Sequence, residues 1–375
     1  MNPLSSIGKK CVWAVDIGAG SGAKLGLGEI VSGNKIAPQM RTAFLAREQY
    51  GDSAETLAVN LAAVLKKLIP EGRNFAPIAV GLACPGLFNS DGTCFAISNI
   101  QMLRGKNLPK LLKEQLGIPV FIENDANAGG IAEWDLARHT LLYWVLGGGW
   151  GGAWISSQGV VYHPVLDWDG KDESLHMTNE PGYSTPILLS ECEKIFTHEK
   201  VSLESFLKYA READYKDGPN KRSDSFRAEA LLCGPGRWRL FRSVVDSMQA
   251  DLSKLGETCA RALDKPGTSG PYLQQLCEDD FEPALKTERI FGRVLGLGAE
   301  QMWNQMLADN PAPGIPAYIA GGPARLFDFF APHTIAEMEQ RNIPIKLVRS
   351  EVELRDENPN LRGAAVLALH RAHLR

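Results

Sequence analysis

Cysteine is sparse here: seven are scattered along 375 residues, with no C-x-x-C pair. That excludes a disulfide framework and a cysteine zinc site, and leaves the thiols reduced and mainly structural. No apolar run reaches the roughly 20 residues that span a bilayer, so no membrane association is expected. The opening MNPLSSIGKK has no hydrophobic core of the signal-peptide kind, which places the expectation in the cytoplasm. A net charge of −4 gives no electrostatic case for nucleic acid. The phosphate motif G-x-x-x-x-G-K-[ST] is absent, and the first glycine turn opens no helix, so neither a Walker loop nor a dinucleotide fingerprint is present. Low-complexity sequence is absent as well.

What is there is an ordinary globular composition, 44% hydrophobic and 22% charged, in a chain long enough for two domains. The apolar run Cys11 to Ile17 reads as a strand ending in Asp16. Gly18-Ala19-Gly20-Ser21-Gly22 follows it, and the apolar pattern resumes to Leu27, which is a hairpin signature. Ser53 to Leu68 is amphipathic, with a serine cap and an early glutamate, and predicts a helix. Ile78 to Ala83 predicts a buried strand running into the turn Cys84-Pro85-Gly86. Lys110 to Leu116 predicts a short helix and Ile118 to Ile122 another strand. This alternation describes an α/β domain.

The chain is organised around Phe121 to Glu133, FIENDANAGGIAE. A carboxamide and a carboxylate, Asn124 and Asp125, stand at the end of a strand just before a helix, where α/β folds place their chemistry. Asp125 could accept a proton from a hydroxyl while Asn124 holds its neighbour. The alternative is that Asp125 and Asn127 only cap the helix. A second strand, glycine turn and strand follows at Leu141 to Ser156, with Gly147-Gly148-Gly149 in the turn. Two glycine hairpins of this kind could hold a polyphosphate from both sides through backbone N–H groups. Asp16 could hold Mg²⁺ through water.

Between Tyr162 and Phe196 the sequence reads as a polar loop, with Glu173 and His176 three apart and Glu193 starting an amphipathic helix; the alternative is a solvated acidic loop. Residues 214–281 read as inserted material with one long helix, Leu240 to Leu263, and no chemistry. Glu288 to Leu307 predicts a further helix. Ala317 to Ala320 predicts a strand ending in a third glycine turn, Gly321-Gly322-Pro323. Ile345 to Val348 predicts the last strand and Gly363 to His370 a small-residue helix.

Taken in order, these motifs resemble the ROK family (repressor, open reading frame, kinase) of the actin/hexokinase superfamily. The resemblance covers nearly the whole chain apart from 214–281. It implies an α/β, two-domain actin-like/ribonuclease H-like ATPase fold with an interdomain active-site cleft. The small domain would be 11–122, joined by the C-terminal helix 360–375, and the large one 123–359. It implies a glucokinase-like, ATP- and Mg²⁺-dependent sugar kinase acting on a hexose or amino-hexose. Asp125 would be the general base; Asn124, Glu173, His176 and Glu193, with Pro85 and Gly86, would face the sugar. Gly18, Gly20, Ser21 and Gly147 to Gly149 would hold phosphates, with Asp16 serving Mg²⁺ and Gly321-Gly322 against adenosine. The resemblance also implies a homodimer.

There are departures. Ala19-Gly20-Ser21 replaces the family's usual Gly-Gly-Thr, and Gly147-Gly148-Gly149 replaces Gly-Thr-Gly, removing a hydroxyl. Many members join the histidine matching His176 to three cysteines around zinc. Here Thr178 to Glu191 contains no cysteine, so no structural zinc is expected. No DNA-binding helix-turn-helix pattern precedes Asp16, which counts against the repressor branch. The alternative class is a non-catalytic sugar-binding or regulatory protein that keeps the fold without turnover.

Overall fold

The computed structural model describes residues 8–18, 20–32, 35–97, 99–162, 177–211, 224–248, 256–264 and 269–373. The chain divides into two compact units. One comprises Met1–Thr140, Trp154–Asp172 and Glu351–Arg375; the other comprises Leu141–Ala153 and Glu173–Ser350.

The first unit is built on strands β1 (Lys9–Ile17), β2 (Gly22–Val31), β3 (Lys35–Ile36), β4 (Arg41–Ala46) and β5 (Phe75–Cys84). After a small hairpin, β6 (Leu87–Phe88) and β7 (Cys94–Ala96), strand β8 (Val120–Asn124) completes the sheet. Its order is β3-β2-β1-β5-β8, with β4 also on β2. Residues Cys11 to Ile17 are all buried, which is why β1 is a continuous apolar run rather than an alternating one. β1 pairs antiparallel with β2, setting Asp16 opposite Lys24, and parallel with β5. β5 in turn pairs parallel with β8, setting Cys84 opposite Asn124. Three parallel strands therefore end side by side, at Ile17, Cys84 and Asn124, with Asp16 one residue before the end of β1.

Helix α1 (Ala54–Lys67) is started by Ser53, whose hydroxyl accepts the Thr56 N–H at 3.1 Å. Leu57, Leu61 and Leu65 are fully buried against the sheet, each contributing about 2 kcal/mol relative to an exposed position. Helix α2 (Leu108–Leu116) precedes β8, and α3 (Asp125–Ala137) leaves it directly. The C-terminal helix, Pro359–His373, lies against both α3 and β5. Contact is so close that a Cβ at Gly363 would stand 1.7 Å from Ala128 O, and one at Gly81 would stand 1.8 Å from Ala364 O. Only glycine permits that approach.

In the second unit, β9 (Leu141–Leu146) and β10 (Trp150–Ile155) form the second glycine hairpin. The sheet order is β10-β9-β13-β14, with β13 (Ile315–Ala320) and β14 (Ile345–Arg349) parallel to each other. Between Met177 and Phe196, where sequence suggests a loop, the chain forms α4 (Pro181–Ser184), a short strand Pro186–Leu188 and α5 (Leu189–His198). The short strand, β11, pairs with β12 (Ser225–Arg227). After α6 (Leu203–Arg211) come α7 (Gly234–Ser247) and α8 (Gly256–Asp264), two helices over the span where the periodicity predicts one. They are followed by α9 (Ser269–Glu278), α10 (Glu282–Met306) and α11 (Phe327–Gln340). Arg341, just past α11, reaches Glu191 of α5 at 3.0 Å, Glu300 of α10 at 2.7 Å and Glu337 of α11 at 2.8 Å. One guanidinium thus ties three helices together. No described helix is long and apolar enough to cross a membrane.

Candidate active site

Local sequence explains why Asp125 ends where it does. Asn124 closes β8 and caps α3: its Oδ1 accepts the N–H groups of Ala126 at 2.9 Å and Asn127 at 3.3 Å. The carboxamide Nδ2 donates to Gly86 O at 3.1 Å, which pins the Pro85-Gly86 turn to the strand end. Asn124, not Asp125, is therefore the cap. Its oxygen is fully used, and one amide hydrogen is left for a ligand.

Asp125 is the first residue of α3, and its Oδ1 accepts the Ala126 N–H at 3.0 Å. Among the described residues no cation pairs with it. Burial pushes its carboxyl up to about 6, and the negative charge of Asp16 adds to that rise. Asp16 is 8% exposed. Burial raises its pKa too, while Lys24 and two carboxamides, those of Asn360 and Asn358, pull it back. Asn358 Nδ2 donates to Asp16 Oδ2 at 3.2 Å, and Asn360 Nδ2 to Asp16 Oδ1 at 3.3 Å.

Two carboxylates that repel each other in a buried place make a setting that a divalent cation relieves. Mg²⁺ takes few carboxylates and keeps several waters, so Asp16 could hold it through water. No group of three or more His, Cys, Asp or Glu that would form an all-protein metal cage is present among the described residues.

The other predicted residues are placed as follows. Gly18 closes the first hairpin by donating to Gly22 O at 3.1 Å, and its own carbonyl accepts the buried Tyr50 hydroxyl at 2.9 Å. Gly20 lies in the same turn, and Ser21 O accepts the Arg47 N–H at 3.0 Å. These lie in the first unit with Asp16, Gly86, Asn124 and Asp125. In the second unit, Gly147 donates to Gly149 O at 2.8 Å, and a Cβ at Gly147 or Gly148 would meet nothing within 4 Å. Their lack of side chain answers no packing demand. Gly321 stands at φ +94°, with space for no Cβ because Leu146 O would be 2.4 Å away. The turn carrying Gly321 and Gly322 thus lies against the strand that feeds Gly147. Glu193 falls in the middle of α5 and is exposed, rather than at the start of a helix. Glu173 and His176 lie outside the described residues.

Sequence reasoning missed three groups that touch this machinery. Asn358 and Asn360 reach Asp16 across more than 300 residues; Asn-Pro-Asn before a small-residue helix signals only a turn and a cap. Arg237, fully buried on α7, donates to Pro323 O of the third glycine turn at 3.0 Å and stacks on Phe291 at 3.9 Å. It belongs to the segment read as inserted, and its partner Glu288 is pushed up to about 7 by burial.

Comparison with known proteins adds to this geometry. The sequence profile of the ROK family matches residues 33–162. Over 150 residues the chain is 32% identical to the N-acetyl-D-glucosamine kinase of Erwinia tasmaniensis, covering 38% of this chain and 45% of that one. The chain spans less than half the length of the curated relatives it matches. In fold it is similar to a ROK family glucokinase from Streptomyces griseus, solved with glucose and AMPPNP, at a TM-score of 0.61 and 18% identity, covering 96% of this chain and 99% of the other. It is also similar to a ROK family transcriptional regulator, a homologue of the E. coli MLC protein, at 0.65 and 14% identity, covering 98% and 80%. The mixed α/β architecture is that of the actin-like ATPases. Kinase and regulator share it, so the fold does not separate them.

Proposed function

From the kinship of this chain with the ROK family, carried by sequence over residues 33–162 and by fold over nearly its full length, we propose that it is an ATP-dependent sugar kinase. Its acceptor is a hydroxyl of a hexose or amino-hexose. The matched relative from Erwinia acts, by its name, on N-acetyl-D-glucosamine, and the Streptomyces neighbour was solved with glucose, which sets the substrate range to test first.

The observation that carries the reading is Asp125: a carboxylate at the start of α3 with one oxygen held by its own helix, no cation beside it and a pKa of about 6. A general base works best when its pKa lies near the working pH. Asp125 would take the proton of the sugar hydroxyl as that oxygen forms its bond to the γ-phosphorus and ADP leaves. Asn124 would donate its remaining N–H to a neighbouring hydroxyl, and an analogue lacking that hydroxyl would leave a buried donor unpaired. Glu193, and Glu173 with His176, are proposed for other ring hydroxyls by family resemblance. In the turns at Gly18 to Ser21 and Gly147 to Gly149, where the N–H groups of Gly18 and Gly147 bond Gly22 O and Gly149 O, the N–H groups of Gly20, Ser21, Gly148 and Gly149 would take the phosphates, and Gly321-Gly322 would take adenosine. Mg²⁺ supplies charge neutralisation of the phosphates when bound, and Asp16 would hold it through water. Closing over the sugar would exclude water and limit ATP hydrolysis.

A second reading is a sugar-binding regulator without turnover. The turn Gly147-Gly148-Gly149 favours it, because it lacks the hydroxyl that the family places there. The kinase reading is supported over it by the base: sugar binding alone does not require an unpaired carboxylate poised near neutral pH. A coupled ADP-release assay with Mg-ATP across hexoses and N-acetylhexosamines, with mass spectrometry of the sugar product, decides. A phosphorylated sugar supports the kinase; sugar binding with no ADP release supports the regulator.

A further inference from the structure

We infer that Asn358 and Asn360 are positioning residues for Asp16, holding its carboxylate as an aimed anion for the Mg²⁺-bound nucleotide. This rests on the kinase reading and adds a role for the chain's C-terminal segment.

Each carboxylate oxygen of Asp16 receives one carboxamide N–H, Oδ2 from Asn358 at 3.2 Å and Oδ1 from Asn360 at 3.3 Å. The orientation of Asn358 is not arbitrary. Its Oδ1 accepts the Leu361 N–H at 2.7 Å, capping the C-terminal helix, so its NH₂ group is the part left to face Asp16. The helix that carries both residues is fixed in turn. Gly363 and Ala364 make the close backbone approaches to α3 and β5. Arg362 donates to Ile36 O at 3.2 Å and Ala37 O at 3.0 Å, and pairs with Asp135 at 3.2 Å. The same helix is thus locked to α3, which starts at Asp125, and clamps Asp16, so both carboxylates are referred to one rigid element.

The chemistry of the donors matters. Carboxamides orient a carboxylate without neutralising it, so apart from the attraction of Lys24 across the β1–β2 pair the site keeps its negative charge for a cation. A lysine in either place would cancel that charge, and an aspartate would add repulsion. With one hydrogen bond on each oxygen, the remaining lone pairs are left for the waters of Mg²⁺.

The test uses Asn360→Leu, which removes one donor, and Asn358→Ser, which keeps a helix cap but is too short to reach Asp16. Binding of Mn²⁺, as a spectroscopic stand-in for Mg²⁺, is measured by electron paramagnetic resonance on the full chain with a non-hydrolysable ATP analogue. Sugar affinity is measured by calorimetry, and the melting temperature is recorded. Each variant is expected to weaken Mn²⁺ about tenfold, the loss of one hydrogen bond to a charged group at its lower end. Sugar affinity should stay within twofold and the melting temperature within a few degrees. The apparent Mg²⁺ requirement for turnover should rise in parallel. Unchanged Mn²⁺ affinity in both variants overturns the inference and leaves the kinase reading intact. Equal losses of Mn²⁺ and sugar affinity, with a lowered melting temperature, overturn it in favour of a purely structural role. Wild-type chain that binds no Mn²⁺–nucleotide overturns both readings together.

Discussion

Asp125→Asn should do two opposite things, abolish turnover and stabilise the fold at neutral pH. The variant is isosteric, and its amide oxygen can still accept the Ala126 N–H that Oδ1 accepts at 3.0 Å. What it removes is a buried charge. The carboxyl of Asp125 is raised from 3.8 to about 6, first by burial and then by repulsion from Asp16. Because the folded chain holds this proton more tightly than the unfolded chain, the native state is favoured below pH 4, and that advantage is lost as pH rises to about 6. A rise of about two pKa units corresponds to about 3 kcal/mol. Asp125 is partly open to water, so a gain of about 1–3 kcal/mol for the variant at pH 7.5 is the expectation. Calorimetric melting of both chains without nucleotide reads it. The variant should melt several degrees higher at pH 7.5, about 2–4 °C per kcal/mol for a unit of this size. Roughly half the gap should remain at pH 5 and little of it at pH 4. A variant that melts lower at pH 7.5, or a gap that ignores pH, refutes the reasoning. In the wild type, kcat/KM for sugar should fall about tenfold per pH unit below about pH 6.

Three further substitutions separate the roles of the backbone and the ion network. Gly147→Ala meets nothing within 4 Å, so stability should change by less than about 0.5 kcal/mol, while the KM for ATP rises about tenfold; an unchanged KM removes this turn from the phosphate role. Gly363→Ala would drive its Cβ to 1.7 Å from Ala128 O and should cost about 3 kcal/mol or more in urea unfolding; near-neutral stability would contradict the close packing of the C-terminal helix on α3. Arg341→Met should cost about 1–3 kcal/mol, because three glutamates of α5, α10 and α11 lose a shared, partly buried partner; an unfolding midpoint indistinguishable from wild type would show the network to be idle.

The strands and helices that build the first unit were legible because their signals are local. Cys11 to Val15 is apolar throughout since both faces of β1 are covered, and Ser53 announces α1 through its own side-chain bond. The Asn124-Asp125 pair was legible as a site, although the division of labour was not: which of two neighbours caps a helix depends on a rotamer that sequence does not encode. Pro186 to Leu188 went unseen as a strand, since its partner Ser225–Arg227 lies beyond a long intervening segment. Two helices, α7 and α8, replace the single one expected from Leu240 to Leu263, where the apolar periodicity runs across both. The carboxamides on Asp16 were invisible for a further reason. Their function exists only once the C-terminal helix returns to the sheet, and small residues such as Gly363 and Ala364 indicate close packing without naming the surface they pack on.

The base role of Asp125 is decided by sugar-dependent ADP release from wild type and Asp125→Asn side by side, with Mg-ATP and the hexose or N-acetylhexosamine that calorimetry shows to bind. Turnover is expected in the wild type, with a loss of at least about a thousandfold in the variant and sugar affinity within a few-fold in both. Near-normal turnover in Asp125→Asn would contradict it.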